Sequence, residues 1–487
     1  MVRPLKHLAK CCRIEGPADM PVTGLALDSR LVKPGCLFAA LPGTKYDGLQ
    51  FVPDALQRGA TALLVAENAS LPELPRDIAV VRAENPARAL AHIAARFYVH
   101  QPVTIVAVTG TNGKSSVAEF TRQIWAFMGF RAASMGTLGV AGPGLDDLNV
   151  RHTTPDVITL HEMLMHMRLR GISHLAMEAS SHGLAQYRMD GVRLTAGAFT
   201  NLSRDHLDYH GDMGAYFEAK MRLFEELLHP PAGAVVNMDA AEGDEVARRA
   251  AKRGLRVFGT GEAGESLRLL SRRLEGLGQH LHLQTARREY RIFLPLVGEF
   301  QAENALVAAG LVIASGGPEE EAVLGLERLR GARGRMELVG RTDAGAPVFV
   351  DYAHTPDALA HALRALRPHV KGRLVVVFGA GGDRDRGKRP EMGGAAAKLA
   401  DVVIVTDDNP RSEDPAAIRA AILKGAPEAE EIGDRAEAIA SAIARLRPGD
   451  ILLVAGKGHE TGQIVGERVL PFSDHEEILK HLREAAA

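Results

Sequence analysis

Cysteine is scarce in this chain of 487 residues, which carries only three, at positions 11, 12 and 36. They are too few and too irregularly spaced for a disulfide framework or a metal site, and they indicate ordinary thiols in a reducing compartment. Apolar runs longer than a strand are also missing, and the first residues lack the apolar core of a signal peptide. We therefore expect a cytoplasmic protein with no membrane span.

An excess of either charge is missing too, because the net charge is −2 with 24% charged and 46% hydrophobic residues. Without a basic excess we expect no nucleic-acid partner, and without an acidic bias we expect a folded chain. The length predicts about three domains. We place them at residues 1–100, 101–332 and 333–487.

The most informative segment is residues 106–115, Val-Ala-Val-Thr-Gly-Thr-Asn-Gly-Lys-Ser. It follows a β-branched apolar run and opens a helical pattern, which is the architecture of a phosphate-binding loop. In such a loop Lys114 reaches the phosphates and the Ser115 hydroxyl can bind Mg²⁺. Val108 stands where the general pattern has glycine. The segment predicts that the chain binds a nucleoside triphosphate.

Short, continuous apolar runs at residues 348–350, 374–378, 402–405 and 451–454 predict strands that are covered on both faces. Such strands alternating with helical patterns indicate an α/β fold with mainly parallel sheets. Ligands of these sheets bind beyond the carboxyl ends of the strands. A second ligand site is therefore predicted where four polar segments follow the runs: residues 351–354, 381–384, 407–411 and 456–460.

Candidate metal ligands follow two strands of the central block. Glu178 comes directly after an apolar run, and His206 lies in residues 203–212, a segment dense in donors. Hard oxygen ligands and an imidazole beside a phosphate loop suit Mg²⁺ or Mn²⁺. The remaining donors there could equally be capping or turn residues: Asp205, Asp208 and His210. Lys220 lies in a helical pattern and, from the pattern alone, is predicted to be a solvated surface lysine.

Six separated motifs, in the same order, resemble signatures of the Mur ligase family over essentially the whole chain. The phosphate loop resembles the family's ATP loop, which also lacks the first glycine. The motifs are residues 109–115, 178–182, 201–208, 303–304, 334–337 and 351–357. The resemblance implies a central P-loop domain with a parallel sheet, a C-terminal Rossmann-like α/β domain and a smaller N-terminal α/β domain.

The resemblance also implies an ATP- and Mg²⁺-dependent, amide-forming ligase of peptidoglycan precursor synthesis, expected to be a monomer. Lys220 falls where the family carries a carbamylated lysine (N6-carboxylysine) that helps to hold Mg²⁺, which requires a neutral amine. The implied catalytic residues are Lys114, Glu178, His206 and Lys220. The implied metal ligands are Ser115, Glu178, His206 and Lys220. The implied ATP-binding residues are Gly110, Thr111, Asn112, Gly113, Lys114, Ser115, Ser116, Asn304, Arg335 and Asp351.

Within the family the resemblance is to members that extend UDP-N-acetylmuramoyl-L-alanyl-D-glutamate. Residues 27–30 and 43–48 resemble the uridine-nucleotide segment, although the pattern alone would make both ordinary turns. The implied residues for this substrate are Leu27, Ser29, Thr153, Thr154, Ser180, Gln186 and Arg188. The basic Arg188 beside hydroxyl donors suits an anionic substrate.

The identity of the added amino acid depends on residues 408–411, Asp-Asn-Pro-Arg. A Pro-containing turn is the plain interpretation, but the fork of Arg411 suits a carboxylate. Diaminopimelate has a second carboxylate where lysine has none, and family members that use meso-diaminopimelate resemble this motif. The implied amino-acid-binding residues are Arg384, Asp408, Asn409, Pro410, Arg411, Gly456 and Glu460.

The implied reaction activates the D-glutamate carboxylate as an acyl phosphate, which the amine of diaminopimelate then attacks. His206, His354 and a substrate carboxylate remain open as the general base. Acyl phosphates hydrolyse in water, so closure of the third domain is expected. Three alternatives remain: a lysine-adding ligase, a folylpolyglutamate synthase, and a P-loop switch or transport ATPase.

Overall fold

The computed structural model describes residues 1–10, 12–43, 47–148 and 153–485. Cys11 and residues 44–46 of the uridine-like segment lie outside the described residues. The chain forms two compact units, Met1–Arg268 with Val307–Ala322, and Leu269–Leu306 with Val323–Ala487. Within the described part of the chain, no helix combines the length and the apolar character needed to cross a membrane.

The first unit begins with a small α/β region, in which a five-stranded sheet has the order β2-β7-β6-β5-β4. Asn85 caps α3 by accepting a hydrogen bond from the Arg88 N–H, and Pro86 occupies the first turn. Helix α3 buries Leu90, Ile93 and Phe97. The strands are β1 Arg3–Pro4, β2 Arg13–Glu15, β3 Pro21–Val22, β4 Gly24–Ala26, β5 Cys36–Ala39, β6 Ala62–Ala66 and β7 Ala79–Ala83; the helices are α1 Leu5–Leu8, α2 Val52–Gln57 and α3 Pro86–Phe97.

The rest of the first unit is built on a larger sheet of order β10-β9-β11-β8-β12-β13-β14, to which the first residues of β15 add. All pairs are parallel except that of β9 and β10. The strands are β8 Thr104–Thr109, β9 Ala132–Gly136, β10 Gly139–Ala141, β11 His174–Glu178, β12 Ala196–Phe199, β13 Gly233–Asn237, β14 Arg256–Gly261 and β15 Leu267–Glu275; the helices are α4 Lys114–Phe127, α5 Val157–Leu169, α6 Ser181–Ala185, α7 Leu207–His210, α8 Met213–Arg222 and α9 Gly243–Lys252.

The second unit carries an antiparallel strand pair, β16 and β17, and a six-stranded sheet of order β18-β19-β23-β20-β21-β22. The strands are β16 Gly278–Gln284, β17 Glu289–Leu294, β18 Glu337–Arg341, β19 Pro347–Asp351, β20 Leu374–Phe378, β21 Val402–Val405, β22 Glu430–Glu431, β23 Ile451–Ala455, β24 Gly462–Val465 and β25 Arg468–Pro471. The remaining helices of the chain are α10 Glu299–Ala314, α11 Glu319–Leu324, α12 Pro356–Leu366, α13 Lys388–Leu399, α14 Pro415–Leu423, α15 Arg435–Ala444 and α16 Asp474–Ala485.

The α/β fold predicted from the sequence is confirmed, because large, mainly parallel sheets alternate with helices. Each of the four apolar runs of the last block forms a strand: β19, β20, β21 and β23. Their pairing is parallel, and β20 and β23 are buried along their whole length. Burial on both faces explains why these strands read as continuous apolar runs rather than alternating ones.

Candidate active site

The predicted phosphate loop lies between the central strand β8 and the first turn of α4. Gly110 has a φ of 145°, and a Cβ placed there would lie 1.9 Å from Thr200 Oγ1. Gly113, with a φ of 85°, precedes the helix. Both positions therefore favour glycine, as a loop that brings its backbone close to phosphate requires.

The backbone of this loop is held by Asn201. The N–H of Thr111 donates to the Asn201 carbonyl at 2.9 Å, and the N–H of Asn112 donates to its side-chain oxygen at 2.9 Å. Lys114 Nζ donates to the carbonyls of Gly110 (2.9 Å) and Thr111 (2.6 Å). A cation is thus held against the loop, and Ser115 and the buried Ser116 follow it in the first turn of the helix.

Ser115 and Glu178 are brought together by the side-by-side strands β8 and β11. Ser115 Oγ donates to Glu178 Oε1 at 2.8 Å, and the Thr137 N–H donates to the same oxygen at 2.8 Å. A Cβ on Gly136 would lie 2.2 Å from Glu178 Oε1, so the glycine leaves room for the carboxylate. A hydroxyl and a carboxylate in contact beside a phosphate loop form a pair of hard oxygen donors that suits Mg²⁺.

His206 lies apart from this pair. Its side chain is 47% exposed, its Nε2 lies 3.5 Å from Asp205 Oδ2, and its ring packs against His182 with centroids 4.8 Å apart. Among residues 1–10, 12–43, 47–148 and 153–485, no three His, Cys, Asp or Glu side chains are grouped to hold a metal ion. The structure therefore joins Ser115 to Glu178, but it does not join His206 to them.

Lys220 is buried in the first unit, with 1% of its surface exposed, so the interpretation of a surface lysine from the helical pattern is wrong. Its Nζ donates to the Gly110 carbonyl at 2.7 Å and lies 4.1 Å from the ring centroid of Tyr216. Burial, followed by the positive charge of Lys114, lowers the pKa of Lys220 to about 6, although Asp205 opposes the shift.

The hydroxyl groups predicted for the precursor continue from Glu178. Thr153 Oγ1 lies 2.9 Å from Thr137 Oγ1, which also donates to Glu178 Oε2 at 3.1 Å. Thr154 Oγ1 donates to the Glu178 carbonyl at 3.2 Å and lies 3.0 Å from Ser180 Oγ. Three residues predicted for one substrate thus lie in one hydrogen-bonded network with a residue predicted for the metal.

The same hydrogen-bonded network extends to Arg188, the basic residue predicted to bind the anionic substrate. Arg188 Nη1 donates to the Thr154 carbonyl at 2.7 Å, and Arg188 Nε donates to Gln186 Oε1 at 3.0 Å. Gln186 Nε2 in turn donates to the hydroxyl of Tyr209 at 3.1 Å. Tyr209 packs on His182, whose pKa is lowered by burial and then by neighbouring histidines. The segment of residues 203–212 therefore contributes Tyr209 as well as His206, and Tyr209 was not singled out from the sequence.

The two uridine-segment residues lie in the small N-terminal region and are not part of that network. Ser29 is buried, and Leu27 packs against the core of this region. The Asp28 side chain accepts a hydrogen bond from the Arg30 N–H at 3.0 Å. This is the turn that the pattern alone predicted.

In the second unit, Gln301 and the loop before β18 join the three predicted nucleotide residues. Asn304 Nδ2 donates to Gln301 Oε1 at 3.3 Å, and Gln301 Nε2 donates to the Arg335 carbonyl at 3.2 Å. Asp351 Oδ2 accepts from the Met336 N–H at 2.6 Å. Burial raises the pKa of Asp351, and Arg335 opposes this. Gln301 was not identified from the sequence.

The four polar segments of the second unit do converge at the carboxyl ends of their strands. The Gly456 N–H donates to the Asp351 carbonyl at 3.1 Å, and the Gly382 N–H donates to the Asn409 carbonyl at 2.9 Å. Asn409 Nδ2 donates to Glu460 Oε2 at 2.8 Å. The four predicted polar segments thus contact one another at one edge of the sheet.

Glu460 and Asn409 also contact a buried lysine that the sequence did not single out. Lys457 has 0% of its surface exposed, and its Nζ lies 3.1 Å from both Glu460 Oε2 and Asn409 Oδ1. Asp408 is buried beside them, and a Cβ on Gly456 would lie 2.6 Å from its Oδ2. Burial raises the pKa of Asp408, an effect that Arg435 and Lys457 oppose.

Arg411 follows the buried Pro410 and adopts a φ of 52°, which is uncommon for a non-glycine residue. Its Nη1 donates to the Gly382 carbonyl at 2.7 Å, so the guanidinium lies on the loop after β20. Arg384 of that loop is exposed, and its Nη1 donates to the Asp383 carbonyl at 3.2 Å. Two arginines predicted for the amino acid therefore border one loop.

Comparisons with known proteins show which family the chain resembles over its length. Three family descriptions match: Mur ligase family, catalytic domain, at residues 21–98; Mur ligase middle domain at 108–312; and Mur ligase, glutamate ligase domain, at 334–458. Proteins named UDP-N-acetylmuramoyl-L-alanyl-D-glutamate--2,6-diaminopimelate ligase from Bradyrhizobium diazoefficiens and Mesorhizobium japonicum are 54% and 52% identical to the chain. The first alignment covers 96% of both chains; the second covers 99% of this chain and 100% of the relative. A solved structure with the same protein name is similar with a TM-score of 0.75, 33% identity and full coverage of both chains.

Proposed function

Because the chain belongs to the Mur ligase family, we propose that it is an ATP-dependent ligase of peptidoglycan precursor synthesis. The proposed reaction joins meso-2,6-diaminopimelate to UDP-N-acetylmuramoyl-L-alanyl-D-glutamate through an amide bond. The observation that carries the proposal is the crevice of the second unit, where Glu460 meets Asn409 and the same turn continues to Arg411. A carboxylate for an ammonium group and a guanidinium for a carboxylate suit an amino acid with an additional acidic end.

The phosphate loop is assigned to ATP. The N–H groups of the first turn of α4 would face the phosphates, and Lys114 would balance their charge. The contact of Ser115 with Glu178 fits a Mg²⁺ ion, which would also draw on His206 and a carbamate on Lys220. Mg²⁺ at this place would offset negative charge on the phosphate oxygens.

The carbamate on Lys220 is proposed because its amine is prepared for that reaction. A primary amine adds CO₂ only when it is neutral, giving a carbamate and releasing one proton. With a pKa lowered to about 6, the amine of Lys220 is mostly neutral at pH 7. The carbamate would place a negative charge beside the Lys114 ammonium, where the neutral amine of the bare lysine places none.

The chemical steps follow from these assignments. The γ-carboxylate of D-glutamate attacks the γ-phosphorus of ATP, forming a C–O–P bond and releasing ADP. The amine of diaminopimelate then attacks the acyl carbon, inorganic phosphate leaves and the amine gives up a proton. Arg188 and the hydroxyls of Thr154 and Ser180 would hold the precursor's carboxylates while this occurs. Positioning and charge balance are what these residues supply.

Arg411 is proposed to select diaminopimelate over lysine. The two amino acids differ by the second carboxylate, and an arginine rewards that carboxylate with charge-assisted hydrogen bonds of about 1.5–3 kcal/mol. The lysine-adding form of the ligase is the main alternative. The proposed substrates are nucleotides and amino acids of the cytoplasm, so we place the enzyme there and propose that it acts as a monomer.

The test is to incubate the purified chain with ATP, Mg²⁺ and the UDP-dipeptide, adding meso-diaminopimelate, L-lysine or no amino acid. The proposal expects the nucleotide tripeptide by mass spectrometry, with one phosphate per amide, in the diaminopimelate reaction alone. A parallel reaction with tetrahydrofolate and L-glutamate tests the folylpolyglutamate synthase alternative. Equal use of lysine would contradict the role of Arg411, and no product in any reaction would contradict the ligase.

A further inference from the structure

The hairpin of β24 and β25 has one edge turned toward the Asp-Asn-Pro-Arg turn. Its two strands pair with Val465 opposite Arg468 and Ile464 opposite Val469, joined by residues 466 and 467. A two-residue turn makes Val465 and Arg468 the hydrogen-bonded pair, so the next pair directs its N–H and C=O groups outward. The backbone groups of Ile464 are therefore available to something outside the hairpin.

These outward groups bind residues 408–411. The Ile464 N–H donates to Asn409 Oδ1 at 2.9 Å, and the Ile464 carbonyl accepts from the Arg411 N–H at 3.0 Å. The Gly466 N–H donates to the Arg411 carbonyl at 2.7 Å. Gln463 adds a side-chain hydrogen bond from Nε2 to the Asp408 carbonyl at 2.7 Å. Strand β24 thus holds the turn as a neighbouring strand would, through a bridge between Val465 and Arg411.

The turn of residues 408–411 contains a backbone conformation that needs stabilising contacts. Arg411 has a φ of 52°, in the left-handed region that a non-glycine residue adopts at a cost. Such a conformation persists when surrounding structure fixes it, and here the N–H of Arg411 is bonded to β24 and its carbonyl to Gly466 of the turn that follows β24. The direction of the guanidinium, which reaches the Gly382 carbonyl, follows from that backbone conformation.

We propose that strand β24, Gly462–Val465, is a positioning element for amino-acid specificity: it fixes the backbone of Arg411 and the amide of Asn409 so that both address the incoming amino acid. This inference rests on the proposed function and deepens it. Asn409 Oδ1 accepts from Ile464 and also from the buried Lys457, so its amide nitrogen is directed to Glu460. The same strand thereby orders the groups for the acidic end and for the ammonium of a zwitterionic substrate.

A proline substitution removes one N–H without adding or removing a side-chain charge. Ile464→Pro deletes the donor to Asn409 Oδ1 and leaves the ladder of the hairpin intact, because that N–H points outward. Val469→Pro is the matched control, since Val469 is the cross-strand partner of Ile464 and is 67% exposed. Ile464→Ala controls for the loss of the side chain while keeping the N–H.

The readout is kcat/KM for meso-diaminopimelate and for L-lysine, with the KM of ATP and of the UDP-dipeptide measured in parallel. Ile464→Pro is expected to lower kcat/KM for meso-diaminopimelate by about tenfold, because Asn409 loses one of the hydrogen bonds that hold its amide toward Glu460. The KM values of ATP and the UDP-dipeptide, and both control variants, should stay within about twofold of wild type. If Ile464→Pro does not fold, Gln463→Leu tests the same strand through its side-chain bond.

A wild-type chain that uses diaminopimelate and an Ile464→Pro variant with an unchanged kcat/KM for diaminopimelate would overturn the inference alone. Equal losses in Ile464→Pro and Val469→Pro would also overturn it, because a general effect on hairpin stability would then suffice. A wild-type chain that forms no amide with either amino acid would overturn the proposed function, and this inference with it.

Discussion

Two buried lysines, one in each unit, are surrounded in opposite ways. Lys220 of the first unit has 1% of its surface exposed, and Lys457 of the second has 0%. Lys220 contacts a carbonyl and an aromatic ring, and among the described residues no carboxylate lies within ion-pair distance of it. Lys457 instead lies 3.1 Å from the carboxylate of Glu460.

The difference teaches that burial alone does not define what a lysine does. Burial, followed by the charge of Lys114, lowers the pKa of Lys220 to about 6, so its amine is mostly neutral at pH 7. Lys457 instead forms an ion pair with Glu460 and a hydrogen bond with Asn409, and so orients both side chains. Burial therefore leaves one lysine with a lowered pKa and places the other against a carboxylate.

The largest effect is expected from Lys220→Arg. This change replaces the amine that adds CO₂ by a guanidinium, so turnover should fall by at least about 10²-fold. Steady-state phosphate release is the measurement, and Lys252→Arg on the exposed face of α9 is the control. Full activity in Lys220→Arg would mean that turnover does not need the amine of Lys220 and would end the contrast with Lys457.

Arg411→Ala should lower the selectivity for diaminopimelate over lysine without slowing the chemical steps. Loss of the charge-assisted bonds to the second carboxylate, worth about 1.5–3 kcal/mol, corresponds to about 10- to 100-fold in the ratio of kcat/KM for diaminopimelate and lysine. Competition between the two amino acids measures this ratio directly. Arg364→Ala, an exposed arginine of α12, is the control, and an unchanged ratio in Arg411→Ala would remove Arg411 from the amino-acid site.

Lys457→Met removes the amine that pairs with Glu460 and replaces it by an uncharged side chain of similar length. Glu460 and Asn409 lose a donor, so we expect the KM of diaminopimelate to rise about tenfold and the free energy of unfolding to fall by about 1–3 kcal/mol. Substrate titration and urea denaturation measure the two quantities. A variant that is more stable than wild type would show that Lys457 destabilises the fold, and that its pairing with Glu460 does not offset the cost of its burial.

Lys220→Met, unlike Lys457→Met, should raise the free energy of unfolding, by an amount that depends on pH. In CO₂-free buffer the native chain releases the Lys220 proton near pH 6, whereas the unfolded chain keeps it up to about the ordinary pKa of 10.5. Between these values the unfolded state binds more protons, so wild-type stability gains with rising pH. The stability advantage of Lys220→Met should therefore be greatest at pH 6 and shrink toward pH 10. An advantage that is constant with pH would contradict the lowered pKa.

Features formed by consecutive residues could be predicted from the sequence, whereas features formed by distant segments could not. The phosphate loop was predicted because its strand, glycines, lysine and serine are consecutive, and the four C-terminal strands because burial on both faces leaves continuous apolar runs. Lys220 was misread from its pattern because the elements that cover α8 are distant in sequence. Thr137, Gln301 and Lys457 were missed for a related reason: each has a partner that is distant in the sequence. Their residue types alone carry no signal of these contacts.

The most direct test of the account follows the oxygen atoms of the reaction. A UDP-dipeptide labelled with ¹⁸O in the γ-carboxylate of D-glutamate is incubated with the chain, ATP, Mg²⁺ and meso-diaminopimelate. Attack of that carboxylate on the γ-phosphate predicts one ¹⁸O atom in each inorganic phosphate released, together with ADP and the tripeptide. Unlabelled phosphate, or label appearing in AMP, would contradict activation as an acyl phosphate and the assignment of the phosphate loop to this reaction.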